Sequence, residues 1–297
     1  MRRYLIASAL LLALAAHGQT AVKQSGFSPL YVGIEYETAT ITAGPSTGPT
    51  ISRAYVMRVD LKAPGISFIT TPRDNSFGPP TPGGLATVSE TTSQFAAEHR
   101  VRVAINTNFF SPCCDAFPEP KDVIGLLVSR GKIVALPTTD PLQSQAVLAI
   151  TRDNEAVIDQ SPNIDLSTTW TAVAGSAIIV QNGVDVSASS PNEGDPTHTN
   201  PRTVVGLTGN HRFLYLVIID GRVPGYSIGT TNEQSAAFML ALGCDSALNL
   251  DGGGSSEMVR ADKIGQPYIL NNPSGGAERY DAAALGVYAL PLEESSR

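Results

Sequence analysis

Cysteine is scarce in this 297-residue chain, which has the adjacent pair Cys113-Cys114 and a third at Cys244. No His or Cys stands at finger-like spacing, which argues against a structural zinc site. An oxidising compartment would permit a disulfide from one of the pair to Cys244, tying the 106–115 loop to the end of a helix near 243. A vicinal disulfide or three free thiols are the alternatives. Basic runs are also missing after Arg2-Arg3, and the formal net charge is −7. Nucleic acid and acidic membrane surfaces both require clustered Lys and Arg, so neither is an expected partner. A single phosphate in a pocket is compatible with that balance; a polyanion is not expected. Long apolar runs are lacking too. The stretch 5–16 is shorter than the ~20 residues that span a bilayer. It follows two arginines and precedes Gly18-Gln-Thr20, so residues 1–19 read as a Sec signal peptide cleaved near 16–20. No cysteine ends that run, which argues against a lipoprotein. The expected product is secreted or periplasmic, with no stable membrane insertion after signal removal.

What is present is enough for a folded body, because apolar residues make up 42% of the chain. No internal repeat is visible, and the Pro/Gly-rich stretch 72–84 reads as a loop. Strand-turn-strand punctuation dominates. Residues 55–59 alternate as a half-buried strand should. Hairpins are expected at 123–128/133–136, at 146–150/156–158, at 177–180/184–186 around Asn182-Gly183, and at 204–207/213–219. Two helices are expected. The first covers about 88–99 and opens with Thr87-x-x-Glu90; the second covers about 231–242, opens with Thr230-x-x-Glu233 and ends at Gly243. The fold class is therefore α+β, with mixed, largely antiparallel, hairpin-rich sheets and few helices. Residues 20–85 read as N-terminal strands, either a subdomain of the same unit or extra strands on the main sheet, and 86–292 as the main domain.

Candidate chemistry collects where buried strands end. The apolar run 213–219 stops at Asp220-Gly-Arg222, which sets charged groups on a sheet rim. Ala247-Leu-Asn249-Leu250 runs into Asp251, Gly252, Gly253, Gly254, Ser255 and Ser256. Three glycines in a row cost backbone entropy. They make sense where backbone approaches a ligand or forms an anion-binding nest. Arg202, fixed at a strand start by Asn200-Pro-Arg-Thr203, can hold a phosphate or carboxylate bidentately. Asn106 and Asn108, ahead of Phe109-Phe110, suit sugar hydroxyls beside a stacking face, and amides capping a turn are an equally ordinary explanation. Ser255 is not in a Gly-x-Ser-x-Gly elbow, which argues against a serine nucleophile. Clustered acids and carbonyls leave Ca²⁺ open as a ligand, but no EF-hand-like spacing assigns it, and no other cofactor is implied.

Five stretches in order resemble the phosphodiester glycosidase family, the group containing the lysosomal enzyme that removes N-acetylglucosamine from mannose-6-phosphate diesters. They are Ala104-Ile-Asn-Thr-Asn-Phe-Phe110, Asn200-Pro-Arg-Thr-Val-Val-Gly206, Asp220-Gly-Arg-Val-Pro-Gly-Tyr-Ser-Ile-Gly229, residues 247–256, and Asn272-Pro-Ser-Gly-Gly-Ala-Glu-Arg279. This chain departs from the family pattern at Asn106-Thr-Asn108, where Asn-Gly-Gly is usual. It also has Glu257 where Thr is usual, and Asn272 where Arg is usual. The resemblance implies hydrolysis at a sugar's anomeric carbon, with a phosphate or related oxygen as leaving group. It implies Asp251, Asp220 and Glu233 as the carboxylates an oxocarbenium-like transition state requires. Arg202 and the 252–256 loop would then hold the phosphate, with Arg222, Asn106, Asn108 and Asn249 among the residues that bind substrate. The alternatives are a glycosidase acting on phosphate-free or anhydro linkages, and a non-catalytic glycan- or cell-wall-binding protein.

Overall fold

The computed structural model describes residues 20–43, 50–138, 145–189 and 198–292, so the expected signal peptide lies outside the described residues. β-Structure dominates it. The largest sheet runs in the order Ala21–Gln24, Ile34–Ala43, Thr50–Asp60, Phe213–Ile219, Arg202–Thr208, Cys244–Asn249, Ala177–Gln181 and Val184–Asp185, with Ser28–Tyr31 also on Ile34–Ala43. A second sheet orders Pro267–Ile269, Met258–Ala261, Val103–Asn106, Ala284–Tyr288 and Ser67–Thr70. A third orders Lys132–Ala135, Leu127–Ser129, Thr169–Gly175, Ala146–Thr151 and Ala156–Gln160. Leu85–Val88, Pro120–Val123 and Phe110–Ser111 make a small fourth. The ladders among the described residues are antiparallel. Strands thus outweigh helices more heavily than an even α+β mixture implies.

The strand Phe213–Ile219 shows why the large sheet is stable. Its side chains alternate between faces, and both faces are covered. Leu214, Leu216 and Ile218 join the core shared with Ile105, Leu127, Leu148 and Leu250. Tyr215, Val217 and Ile219 join a second core under Ala236, Phe238 and Met239. That is why the run is continuously apolar rather than alternating. The strands at 34–60 pair with it through Thr50–Asp60, so the N-terminal strands extend this sheet. A boundary at 85/86 falls inside Leu85–Val88.

Each of the two helices covers one sheet face. Helix α1, Thr92–His99, buries Phe95 and Ala96 against Ile69, Ala104, Val259 and Ala284. Helix α2, Asn232–Ala241, buries Ala236, Phe238 and Met239. Burying one such large apolar side chain contributes about 2–3 kcal/mol. Both helix starts differ from the expected capping boxes. In α1 the box is Thr91 with Gln94, because Thr87 lies in the strand Leu85–Val88 and donates to Ala282 O at 2.8 Å. In α2 it is Thr231 with Gln234. Thr230 is buried, its hydroxyl 2.8 Å from Ser235 Oγ and its backbone bridged to Asn200, so the next threonine caps instead. The C-terminal end agrees with expectation: Gly243 follows the C-cap Leu242 with φ 86°.

The expected hairpins at 146–160, 177–185 and 202–219 form. In the first of the four, Leu127–Ser129 pairs with Lys132–Ala135 while Pro120–Val123 goes to the small sheet. The disulfide to Cys244 does not form. Cys113 and Cys114 are bonded to each other, and Cys244 is a buried free thiol.

Candidate functional site

Antiparallel register brings the motifs to one rim. Arg202 lies opposite Ile219, so Asp220 leaves the sheet beside it. Asn249, which closes the next strand, lies opposite Val204. The second sheet meets this rim where Asp251 N donates to Thr107 O at 2.8 Å. Asn106 completes the joint. Its Nδ2 donates to Asp251 O at 2.7 Å, and its Oδ1 accepts from Thr203 Oγ1 at 2.7 Å and Glu257 N at 3.2 Å.

The three expected asparagines are thus buried braces. Asn108 Nδ2 donates to Ile124 O and Leu126 O, and its Oδ1 accepts from Ala174 N. Asn249 Nδ2 reaches Ser176 Oγ and Leu250 O. Arg202 is buried as well, donating from Nε to Thr230 O at 3.0 Å and from Nη2 to His198 O at 3.3 Å. It tethers the Asn200–Thr230 bridge at the entrance to α2. Glu233, in the first turn of α2, is exposed and does not serve in the capping box.

The glycine loop has a different partner from the one expected. Gly253 N, Ser255 N and Ser256 N are engaged with Pro201 O, Gly252 O and Gly253 O, so the loop does not offer an open row of amides. It is covered by guanidiniums instead. A Cβ on Gly253, where φ is +63°, would stand 3.2 Å from Arg222 Nη1 and Nη2. A Cβ on Gly254 would overlap the Arg279 guanidinium. Arg279 Nη1 donates to Ser255 Oγ at 3.2 Å, and Arg222 Nη2 to Asn200 Oδ1 at 2.9 Å. Only glycine leaves space for two arginines to lie on this backbone.

Carboxylates surround the loop. Asp281 is buried, and burial pushes its carboxyl well above the ordinary value; the charge of Asp251 pushes the same way, against a hydrogen bond from Ser255 and the charge of Arg279. Burial likewise raises Glu257 to about 10, helped by its hydrogen bond to Glu278 and by the charges of Glu278 and Asp281. Glu278 is held low: burial opposes this, but bonds from Glu257, Ser93 and Thr91 outweigh it. Ser93 N donates to Glu278 Oε1 at 3.0 Å in the first turn of α1, where a negative charge is favoured. Thr107 Oγ1, Ser256 Oγ, Glu257 Oε1 and Asp281 Oδ1 are buried without a hydrogen-bond partner. Buried polar atoms are nearly always satisfied, so four in one neighbourhood mark a place where a polar ligand or water completes the network.

Asp220 is more a keystone than an open acid. Buried to 1% exposure, it accepts from Asn271 Nδ2 at 3.0 Å, Asn272 N at 3.1 Å and Tyr226 OH at 3.1 Å. Burial raises its pKa despite the opposing pull of those bonds. Through Asn271, which also donates to Ser256 O and accepts from Met258 N, it fixes the back of the glycine loop. A separate cleft of ≈ 720 Å³ runs along α1 and is lined by Glu90, Glu98 and His99. Burial and then the Glu98 charge raise Glu90 to about 7. Among the described residues no group of His, Cys, Asp and Glu is arranged to hold a metal ion.

Sequence reasoning missed Asp281, and Glu278 and Arg279 appeared only within a matched stretch. The chain gives no local signal for Asp281: it lies in an irregular segment, brought to the rim by its backbone pairing with Glu90 and by the strand Ala284–Tyr288 that follows it beside Asn106.

Residues 99–288 match the phosphodiester glycosidase family, and the chain belongs to it. No curated protein sequence matches it. Its fold is shared with the zebrafish N-acetylglucosamine-1-phosphodiester alpha-N-acetylglucosaminidase catalytic domain, auto-inhibited by its pro-peptide. That similarity has a TM-score of 0.63 at 18% identity and covers 94% of this chain and 97% of that one. A Burkholderia pseudomallei protein described as exported gives 0.57 at 15% identity, covering 98% of this chain and 100% of that one. A hypothetical protein of Synechocystis gives 0.56 at 15%, covering 88% and 64%. These likenesses establish the fold. Among the described residues no helix is long and apolar enough to cross a membrane.

Proposed function

We propose that the protein is an exported hydrolase that cleaves a sugar-1-phosphodiester at the glycine loop. The observation that carries this reading is the pair of guanidiniums, Arg222 and Arg279, lying on Gly253 and Gly254 beside the acids Asp251 and Asp281. Paired arginines suit a phosphodiester, which they bind in a planar, bidentate manner. A phosphate is a weakly basic leaving group, so neutralising its charge matters more than protonating it. The acids then serve the anomeric carbon, where positive charge builds in the transition state. Asp251 supplies a carboxylate, and Asp281, whose burial favours the protonated form, can donate to a departing oxygen or position a hydroxyl. Asp220, Arg202, Asn106, Asn108 and Asn249 act as positioning residues that set the loop and its rim. Glu233 remains a candidate only if α2's exposed face closes on the substrate. Export rests on the Arg2-Arg3 and 5–16 pattern, together with the likeness to a protein described as exported.

A second reading has one observation in its favour. Two acids whose burial favours the protonated form, Asp281 and Glu257, match what an ordinary glycoside needs, since its alkoxide leaving group requires a proton. The purified protein and its Asp251→Asn variant should be given an aryl GlcNAc-1-phosphodiester and the matched aryl glycoside. Cleavage of the diester alone, lost in the variant, supports the proposal. Cleavage of the plain glycoside alone transfers the substrate to the second reading, and cleavage of neither refutes both for this sugar.

A further inference from the structure

We propose that a strip of tyrosine-backed arginines beside the candidate site binds a glycan chain whose sugars are joined by phosphodiesters, so that the substrate is a polymer rather than a small diester. The inference rests on the reading of the glycine loop as a sugar-phosphate site. Three arginines from separate segments each lie over a tyrosine ring. Arg53 stands 4.7 Å from the Tyr226 centroid, Arg260 5.6 Å from Tyr268, and Arg102 5.6 Å from Tyr31. Arg53 is exposed, and Arg102 and Arg260 are partly so. Arg58 and Arg212 have carboxylate partners in Glu35 and Asp60, whereas these three are in no salt bridge among the described residues. Arg260 Nε has no hydrogen-bond acceptor at all.

The strip is continuous with the site. Tyr226 OH lies 3.1 Å from Asp220, whose partner Asn271 holds Ser256. Tyr226 OH also lies 2.8 Å from Tyr55 OH. Tyr36 is registered with Met57, two residues from Tyr55, which places Tyr36 and Tyr55 on one face of the sheet. Arg260 is within electrostatic reach of Tyr36 and Tyr31, and Arg102 of Tyr31. Burial drives the Tyr36 phenol up to about 12, so it remains a hydrogen-bond donor at any working pH.

This composition fits phosphate and sugar in alternation. Guanidiniums take phosphate oxygens. The phenols of Tyr36 and Tyr268 can donate to hydroxyls, while those of Tyr31, Tyr55 and Tyr226 are bonded within the protein and contribute their rings, whose faces cover the apolar side of a sugar. The arginines at 53, 102 and 260 are far apart in the chain, which is why no basic run announces them. Asp262 lies near Tyr31, but its carboxylate is turned to Ile264 N and Gln266 N, closing its own turn.

The test compares wild type with an Arg102→Gln/Arg260→Gln double variant and with Tyr268→Ala, a side chain at 57% exposure whose loss spares the core. The substrates are an aryl GlcNAc-1-phosphodiester and a poly(N-acetylglucosamine 1-phosphate) chain. Expected are a rise in KM for the polymer of about tenfold or more in both variants, steepest at low salt, with unchanged kinetics on the small diester and unchanged Tm. An unaltered polymer KM, or an equal loss on both substrates, overturns the proposal. Should wild type cleave neither, the reading of the site fails, and the strip is judged by retention on the immobilised polymer. Retention lost in the double variant, with dextran and alginate unretained, upholds the strip. Retention unaffected by the variants, or equal binding of alginate or single-stranded DNA, overturns it.

Discussion

The side-chain amide of Asn106 donates to the backbone carbonyl of Asp251 at 2.7 Å, and its oxygen accepts from Glu257 N, so one buried side chain holds both ends of the glycine loop. Asn106→Ala removes these bonds and the one from Thr203 Oγ1 at 2.7 Å. Each buried partner left unsatisfied costs about 1–3 kcal/mol. The variant should lose about 3 kcal/mol in urea denaturation and most of its activity, while Asn154→Ala, a brace far along the chain at Ile66 O, should lose stability with activity per folded molecule intact.

Arg279 and Arg202 should separate binding from architecture. Arg279→Ala should raise KM for a diester by roughly 10–100-fold at nearly constant Tm, because charge-assisted contacts to phosphate contribute about 1.5–3 kcal/mol. Arg202→Ala should lower Tm, since the buried guanidinium's packing and one donor to each of the carbonyls of Thr230 and His198 are lost. Steady-state kinetics beside thermal melts would detect the reverse pattern, which would return the phosphate to Arg202.

Glu257 controls a pH dependence of stability. Its folded carboxyl is raised to about 10 from an ordinary 4.5, so between those values the folded state holds a proton that the unfolded state has released. The stability it confers is fully present below pH 4.5 and declines as pH rises towards 10. Glu257→Gln keeps the donor to Glu278 and cannot ionise. Chemical denaturation from pH 5 to 9 should therefore show a flatter stability curve in the variant, with its advantage over wild type growing at alkaline pH.

Thiol titration reads the cysteine arrangement. With Cys113 and Cys114 bonded to each other and Cys244 buried, the native protein should present no reactive thiol and the denatured, unreduced protein one. A bond to Cys244 would leave the same single thiol, so peptide mapping must place it at Cys244.

Hairpins were legible because their signals are local. Asn182-Gly183 adopts positive φ at both residues, 52° and 69°, as the dipeptide predicts. The rim was legible for the same reason: an apolar run ending in Asp220, or in Asp251 and three glycines, marks a strand end. What occupies the rim was not. Asn106, Asn108 and Arg202 look like ligand groups in a string of letters, and only their burial and bonds reveal them as braces. Asp281 and Glu278 reach the loop through pairings with Glu90 and Ser93, 191 and 185 residues away in the chain, and no spacing rule carries that distance. The helix starts slipped because Thr230-Thr231 and Glu233-Gln234 offer two overlapping boxes, and burial of Thr230 decides between them.

The strand Val103–Asn106 lies between Met258–Ala261 and Ala284–Tyr288. A ribosome emits it long before either neighbour, so the sheet cannot close, nor the acids of the rim assemble, while synthesis is under way. The emerging polypeptide therefore carries no assembled rim, which forms only once the distal strands have docked, a built-in delay that any route requiring an unfolded chain can exploit.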